Sequence, residues 1–133
     1  KLAISLNASN DTFRNEIMPI NKKWPINDLI QSIEKYNKKN KHLIMFEYVL
    51  LKDLNDSEED ALELSKILKN TNCKINLIPF NEIFGVYKRP SHDRIIKFSK
   101  ILHENKTNYR VFIRWSRGED INAACGQLAT KNE

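Results

Sequence analysis

Glycine is scarce, with 3 in 133 residues. A phosphate-cradling loop of the P-loop or dinucleotide type packs that many into one short stretch, and none occurs here. Cysteine is scarcer, with only Cys73 and Cys125. Two distant thiols exclude a disulfide framework and point to a reducing, cytoplasmic setting. They also exclude an iron–sulfur cluster ligated by this chain alone. The histidines His42, His92 and His103 share no ligand spacing with each other or with a cysteine pair, so no metal site is expected and all three read as surface residues. No apolar run approaches the roughly 20 residues of a membrane-spanning helix, and no secretory leader is expected. An initiator methionine is also lacking, since the first residue is Lys1. The expectation is that the chain begins inside a longer polypeptide, within a strand.

What is present is one domain's worth of core. Hydrophobic residues make up 41% and charged residues 29%, the balance of a globular protein. The net charge of +5 is unevenly spread. Residues 53–72 carry 6 acids against 2 bases, while residues 73–133 carry 11 bases against 6 acids. The acidic block reads as a solvated helix face. The basic part includes Arg110, Arg114 and Arg117 with no acid between them. Such a patch suits phosphates, although a lysine-rich solubilising surface explains most of the excess equally well.

Hydrophobic patterning predicts four strands alternating with helices. Leu2–Leu6 reads as a short buried strand, and Asp11–Met18 as one or two helical turns stopped by Pro19. Pro25 opens a helix with Leu29, Ile30, Ile33 and Tyr36 on one face. Leu43–Leu51 is almost wholly apolar, the pattern of a strand covered on both faces. Ser57 is a good N-cap, with Glu58, Glu59 and Asp60 in the first turn and Ala61, Leu64 and Leu68 as the buried stripe. Cys73–Phe80 is a third strand, with Cys73 as a packing residue. Asn81–Pro90 is a loop. Ser91 caps a helix with Ile95, Phe98, Ile101 and Leu102 inside, and Tyr109–Trp115 is the fourth strand. The order β-α-β-α-β-α-β predicts an α/β fold with parallel strands and right-handed crossovers, either a small open sheet or part of a (β/α) barrel.

In such folds chemistry collects at the C-terminal strand ends. The polar residues expected there are Ser5 and Asn7, Asp53 and Asn55, Asn81, and Arg117 leading to Cys125. Asn55 and Asp53 read equally well as ordinary turn residues. Cys125 is the most distinctive. It sits between small residues in Ala123-Ala124-Cys125-Gly126-Gln127-Leu128, just past the last strand, where core packing does not explain a thiol. A neighbouring guanidinium from Arg114 or Arg117 would raise its thiolate fraction and suit it to nucleophilic work.

Six stretches carry a family resemblance: Leu2–Ala8, Met18–Lys23, Phe46–Leu51, Leu54–Ser57, Asn76–Asn81 and Arg117–Leu128. They span nearly the whole chain. In them it resembles the C-terminal half of the radical S-adenosylmethionine dual-specificity RNA methyltransferases, which methylate C2 of adenine in large-subunit rRNA and in tRNA. The resemblance implies that residues 1–133 are the C-terminal part of a radical S-adenosylmethionine methyltransferase domain, a partial (β/α) barrel whose upstream half is missing. It implies that Cys125 accepts the methyl group of one S-adenosylmethionine. A second is cleaved at a 4Fe-4S cluster whose ligands are expected upstream of Lys1. It further implies that Ser5, Leu6, Asn7 and Asn81 contact S-adenosylmethionine. The family has a histidine where Asn7 stands. The fragment alone is expected to be inactive, and its partners to be rRNA, tRNA and the missing N-terminal half, with no membrane. Its unpaired edge strands invite self-association. Two alternatives remain: the related enzymes that methylate C8 of the same adenine, and an RNA-binding module without catalysis, with Tyr109, Phe112 and Trp115 stacking on bases.

Overall fold

A computed structural model describes residues 2–39 and 43–115. Strand β1 (Leu2–Ser5) leads through helix α1 (Asp11–Ile17), a short 3-10 turn (Pro19–Lys22) and helix α2 (Ile26–Lys39) to strand β2 (Ile44–Leu50). Helix α3 (Glu58–Ile67), strand β3 (Cys73–Pro79), a 3-10 turn (Glu82–Phe84), helix α4 (His92–Glu104) and strand β4 (Tyr109–Ile113) follow. The strands are all parallel and lie in the order β1-β2-β3-β4. Each neighbours its successor, with no reversal of strand order. That is the order of an arc of a (β/α) barrel, whereas a doubly wound sheet reverses at a switch point. The α/β expectation holds, and the strand order is that of a partial barrel.

The local signals explain the elements. Asn10 caps α1 by accepting the amide of Phe13 at 2.8 Å. Ser57 and Asp60 form a reciprocal capping box on α3, whose Ala61 and Leu64 are fully buried. Ser91 caps α4 through the amide of Arg94.

The core lies on the helical side of the sheet. Ile44, Phe46, Tyr48 and Leu50 of β2 and Ile75 and Leu77 of β3 all point into it. Their strand neighbours Met45, Glu47, Val49, Lys74, Asn76 and Ile78 face the other way and are half-buried. The expectation of a β2 covered on both faces is therefore corrected: among the described residues only the helical face is covered. Met45 and Val49 disguise the alternation because they are apolar residues on the open face. Across that face Ser5, Glu47, Asn76 and Phe112 stand in one register row.

The aromatic residues of the last strand divide between the faces. Tyr109 is buried, and its hydroxyl donates to the Leu102 carbonyl at 2.7 Å, so it is unavailable to a base. Phe112 is 46% exposed on the open face, with the Lys74 ammonium 5.7 Å from its ring. Trp115 stacks on His92 at 5.0 Å, which gives that surface histidine a packing partner.

Burial pushes the Cys73 thiol up to about 12 and the Tyr109 phenol up to about 12. Both groups prefer to keep their protons in the folded chain more strongly than in the unfolded one. Their contribution to stability is thus intact below about pH 9 and is lost as pH rises toward the folded values. Two results are expected. Cys73 in the folded chain resists alkylation at pH 8, and the melting temperature falls from pH 9 upward with a shallower slope in Cys73→Ala. Rapid labelling of Cys73 in a folded sample contradicts this placement.

Candidate active site at the strand ends

The chain leaves β1 through Leu6 and enters the left-handed region at Asn7, with φ 59°. Asparagine tolerates that conformation better than most L-residues. The turn carries the Asn7 side chain across to β2, where its Oδ1 accepts the Val49 amide at 2.8 Å. Its Nδ2 faces the Met18 sulfur at 3.8 Å. Asn7 and Met18 line a cavity of about 200 Å³ with Ile17, Val49, Leu51, Phe80 and Tyr87. This cavity sits over the C-terminal ends of β1, β2 and β3.

Two buried polar groups hold these ends in place. The first is Asn55, which is fully buried. Its Oδ1 accepts the Leu51 amide at 2.7 Å, and its Nδ2 donates to the carbonyls of Asn7 at 2.9 Å and Val49 at 2.8 Å. Its own carbonyl accepts the Tyr48 hydroxyl at 2.6 Å. The ordinary-turn reading understates it: Asn55 clasps the ends of β1 and β2. Beside it Asp53 has φ 62° and donates its amide to Asp56 Oδ1 at 2.9 Å, and burial raises the Asp56 carboxyl above its ordinary range.

The second is Arg14 of α1, 4% exposed. Its Nε donates to the Leu6 carbonyl at 2.8 Å, its Nη2 to the Ser5 carbonyl at 2.9 Å and its Nη1 to Asn21 Oδ1 at 2.7 Å. Asn21 in turn donates to Asp11 and Asn15. Desolvation lowers the Arg14 pKa while nearby Asp11 opposes the shift. Such a group remains charged at any physiological pH.

The remaining wall is the loop after β3. The Phe80 and Tyr87 rings meet edge-on at 5.8 Å. The Lys52 amide donates to the Lys88 carbonyl at 2.8 Å, and the Arg89 amide donates to Glu82 Oε2 at 2.8 Å. These bonds fold the loop back toward β2 and set Tyr87 at the cavity.

The residues expected from the sequence fall in different places. Asn7 lines the cavity. Ser5 is exposed on the open face just below it. Leu6 is a core residue whose amide donates to the Glu47 carbonyl and whose carbonyl accepts from Arg14 Nε. Asn81 is exposed beside the cavity wall, and its Oδ1 accepts the Ile83 amide at 3.2 Å to cap the short turn. Asp53 is exposed, and Asn55 lies beneath the rim and not on it. Cys125 and Arg117 lie outside the described residues. Arg110 and Arg114 are exposed on the open face, where Arg114 pairs with Glu47 of β2 at 3.3 Å, so one cation of the basic patch has an acid opposite it. Sequence reasoning misses Met18 and Tyr87, which line the cavity, and Arg14, which braces the strand end beside it. Met18 lies in one of the family-like stretches, and the other two have no local signal.

Among the described residues no cluster of three or more His, Cys, Asp or Glu could hold a metal ion. Cys73, the one cysteine among them, is buried in the core. These residues do not fit an iron–sulfur cluster. No described helix is long and apolar enough to cross a membrane.

No family model matches the chain. Its similarity to individual proteins is high. It is 49% identical over 130 residues to the dual-specificity RNA methyltransferase RlmN of Pseudomonas fluorescens, covering 96% of this chain and 34% of that protein. It is 50% identical over 130 residues to the protein of that name from Desulfotalea psychrophila, covering 97% of this chain and 35% of the relative. Among solved structures, a radical SAM methyltransferase from Sphaerobacter thermophilus superposes with a TM-score of 0.83 at 41% identity, over 96% of this chain and 37% of that one. The chain thus spans about a third of the length of the curated relatives it matches.

Proposed function

We propose that this chain, which corresponds along nearly its whole length to about a third of the radical S-adenosylmethionine dual-specificity RNA methyltransferases, is the C-terminal, methyl-accepting part of such an enzyme, acting on C2 of adenine in rRNA and tRNA. The observation that carries this reading is the 49% identity along a chain whose strand ends surround a cavity lined by Asn7. S-adenosylmethionine, when bound, supplies the methyl group. A drug-sized ligand needs about 300–1,000 Å³, so the cavity of about 200 Å³ takes part of it. Its apolar walls of Met18, Val49, Phe80 and Tyr87 suit a planar base, and the amides of Asn7, which lines it, and of Asn81, which follows Phe80 in the chain, suit the polar portions. Cys125 is assigned as methyl acceptor: its thiolate attacks the sulfonium methyl carbon, the C–S⁺ bond breaks, and S-adenosylhomocysteine leaves with the electron pair. The cluster is assigned to the part of the enzyme that this chain does not span, and RNA and that part are its partners. Alone it is expected to do no chemistry. Its β1 and β4 edges, unpaired among the described residues, favour self-association of the isolated chain.

The test joins this chain to the upstream portion of the Pseudomonas fluorescens relative in a bacterium lacking its own adenine methyltransferase. Nucleoside analysis of rRNA and tRNA is expected to show 2-methyladenosine, dependent on both pieces. 8-Methyladenosine would move the assignment to the related C8 enzymes. RNA binding without either product would leave only the binding-module reading.

A further inference from the structure

Among the described residues no lysine or arginine other than Arg14 is buried. A buried guanidinium is costly unless its donors are aimed at acceptors, and here they are. What they are aimed at is unusual. In a regular strand successive carbonyls point to opposite sides. Arg14 bonds two successive carbonyls, those of Ser5 and Leu6, with one planar group. A chain held by that fork cannot continue as a strand past Leu6. The strand does end at Ser5, and the next turn is the left-handed Asn7. That turn delivers Asn7 Oδ1 to the Val49 amide and the Asn7 side chain to the cavity. Asn21 fixes the third arm of the fork, and Asp11 fixes Asn21 while also accepting the Ile26 amide at the start of α2.

We propose that Arg14 is a positioning residue: by forking onto the Ser5 and Leu6 carbonyls it bends the end of β1, sets Asn7 in the cavity, and so governs affinity for the ligand there. This rests on the reading that the cavity takes part of S-adenosylmethionine, and Arg14 is not among the residues that line that cavity. Lysine keeps the charge but not the planar fork, so Arg14→Lys separates electrostatics from geometry.

The experiment uses the whole enzyme, reconstituted with its upstream portion. Two readouts are taken: amide hydrogen exchange at Val49, which needs no ligand, and the Kd for S-adenosylmethionine. In Arg14→Lys, Val49 is expected to exchange about tenfold faster while Phe98 in α4 is unchanged, because the loss is confined to the strand end. The Kd is expected to weaken about tenfold, with turnover at saturating ligand within about threefold, because ground-state positioning is what is lost. Combined with Asn7→Ala, Arg14→Lys should add no further loss of affinity, since both act through one side chain. Unchanged Val49 exchange in a folded Arg14→Lys protein overturns the proposal, and so does full additivity with Asn7→Ala. If Arg14→Lys does not fold, Asn21→Ala decides: it leaves the fork on β1 and removes one anchor, and about threefold faster exchange at Val49 is required. If the unsubstituted enzyme binds no S-adenosylmethionine, the functional reading fails, and the exchange result alone judges the positioning role.

Discussion

Asn55→Ala is expected to destabilise the fold by about 3–5 kcal/mol, from roughly 1–3 kcal/mol for each buried polar group left without a partner. One side chain satisfies three backbone groups: the Leu51 amide and the carbonyls of Asn7 and Val49. Alanine orphans all three and opens a void where Asn55 is fully buried. Water entering the void would recover part of the loss, which keeps the figure below a plain sum of three maximal penalties. Against a total stability of about 5–15 kcal/mol the loss decides whether the strand ends stay formed. Urea unfolding with an unchanged m-value measures it. Asn55→Asp has the same shape but loses the two donors, and its carboxylate would face the carbonyls of Asn7 and Val49. It should be destabilised at neutral pH and partly recover as pH falls, because a carboxyl that must be protonated to sit there has a folded pKa above its unfolded one. A loss under about 1 kcal/mol in Asn55→Ala would mean that the ends of β1 and β2 are held by something else.

The scaffold around this asparagine is readable from the sequence, and the clasp itself is not. Ser57 and Asp60 with the stripe Ala61, Leu64 and Leu68 announce α3, because capping and helical periodicity are local signals. The alternation of strands and helices announces parallel pairing for a similar reason. Asn55 reads as a turn residue because the turn is local, whereas its partner Asn7 stands far away in sequence and is brought near only by the β1–β2 pairing. Arg14 is less legible still. On a two-turn helix an arginine reads as surface, and nothing nearby says that the Ser5 and Leu6 carbonyls will close over it. Leu6 carries two signals at once. The resemblance places it in a ligand-contacting stretch, and strand alternation sends its side chain into the core. Likewise β2 looks covered on both faces because its open-face residues Met45 and Val49 happen to be apolar, while Glu47 between them marks the face correctly.

The largest functional effect is expected at Cys125. In the reconstituted enzyme, Cys125→Ser should lower RNA methylation by at least about three orders of magnitude, the scale of loss when a covalent nucleophile is removed. A thiolate is available near neutral pH and its soft sulfur both attacks carbon and later releases it, while a serine hydroxyl stays protonated and its ether would not let go. Affinity for S-adenosylmethionine should change less than threefold in the same variant, because the cavity that includes Asn7, Met18 and Tyr87 is left intact. Asn7→Ala should show the reverse pattern, weak binding with turnover preserved at saturation. The covalent geometry permits the assignment. Parallel β4 delivers the chain from Trp115 at the same pole of the sheet as Asn7. The ten residues from Trp115 to Cys125 reach up to roughly 33 Å, against about 14 Å for the three strand spacings between β4 and β1. Mass spectrometry of the Cys125 peptide should find the extra methyl group in the active enzyme incubated with S-adenosylmethionine. Its absence at every time point, with RNA methylation intact in Cys125→Ser, would remove the methyl-acceptor role and leave this chain as the wall of a site whose nucleophile lies elsewhere.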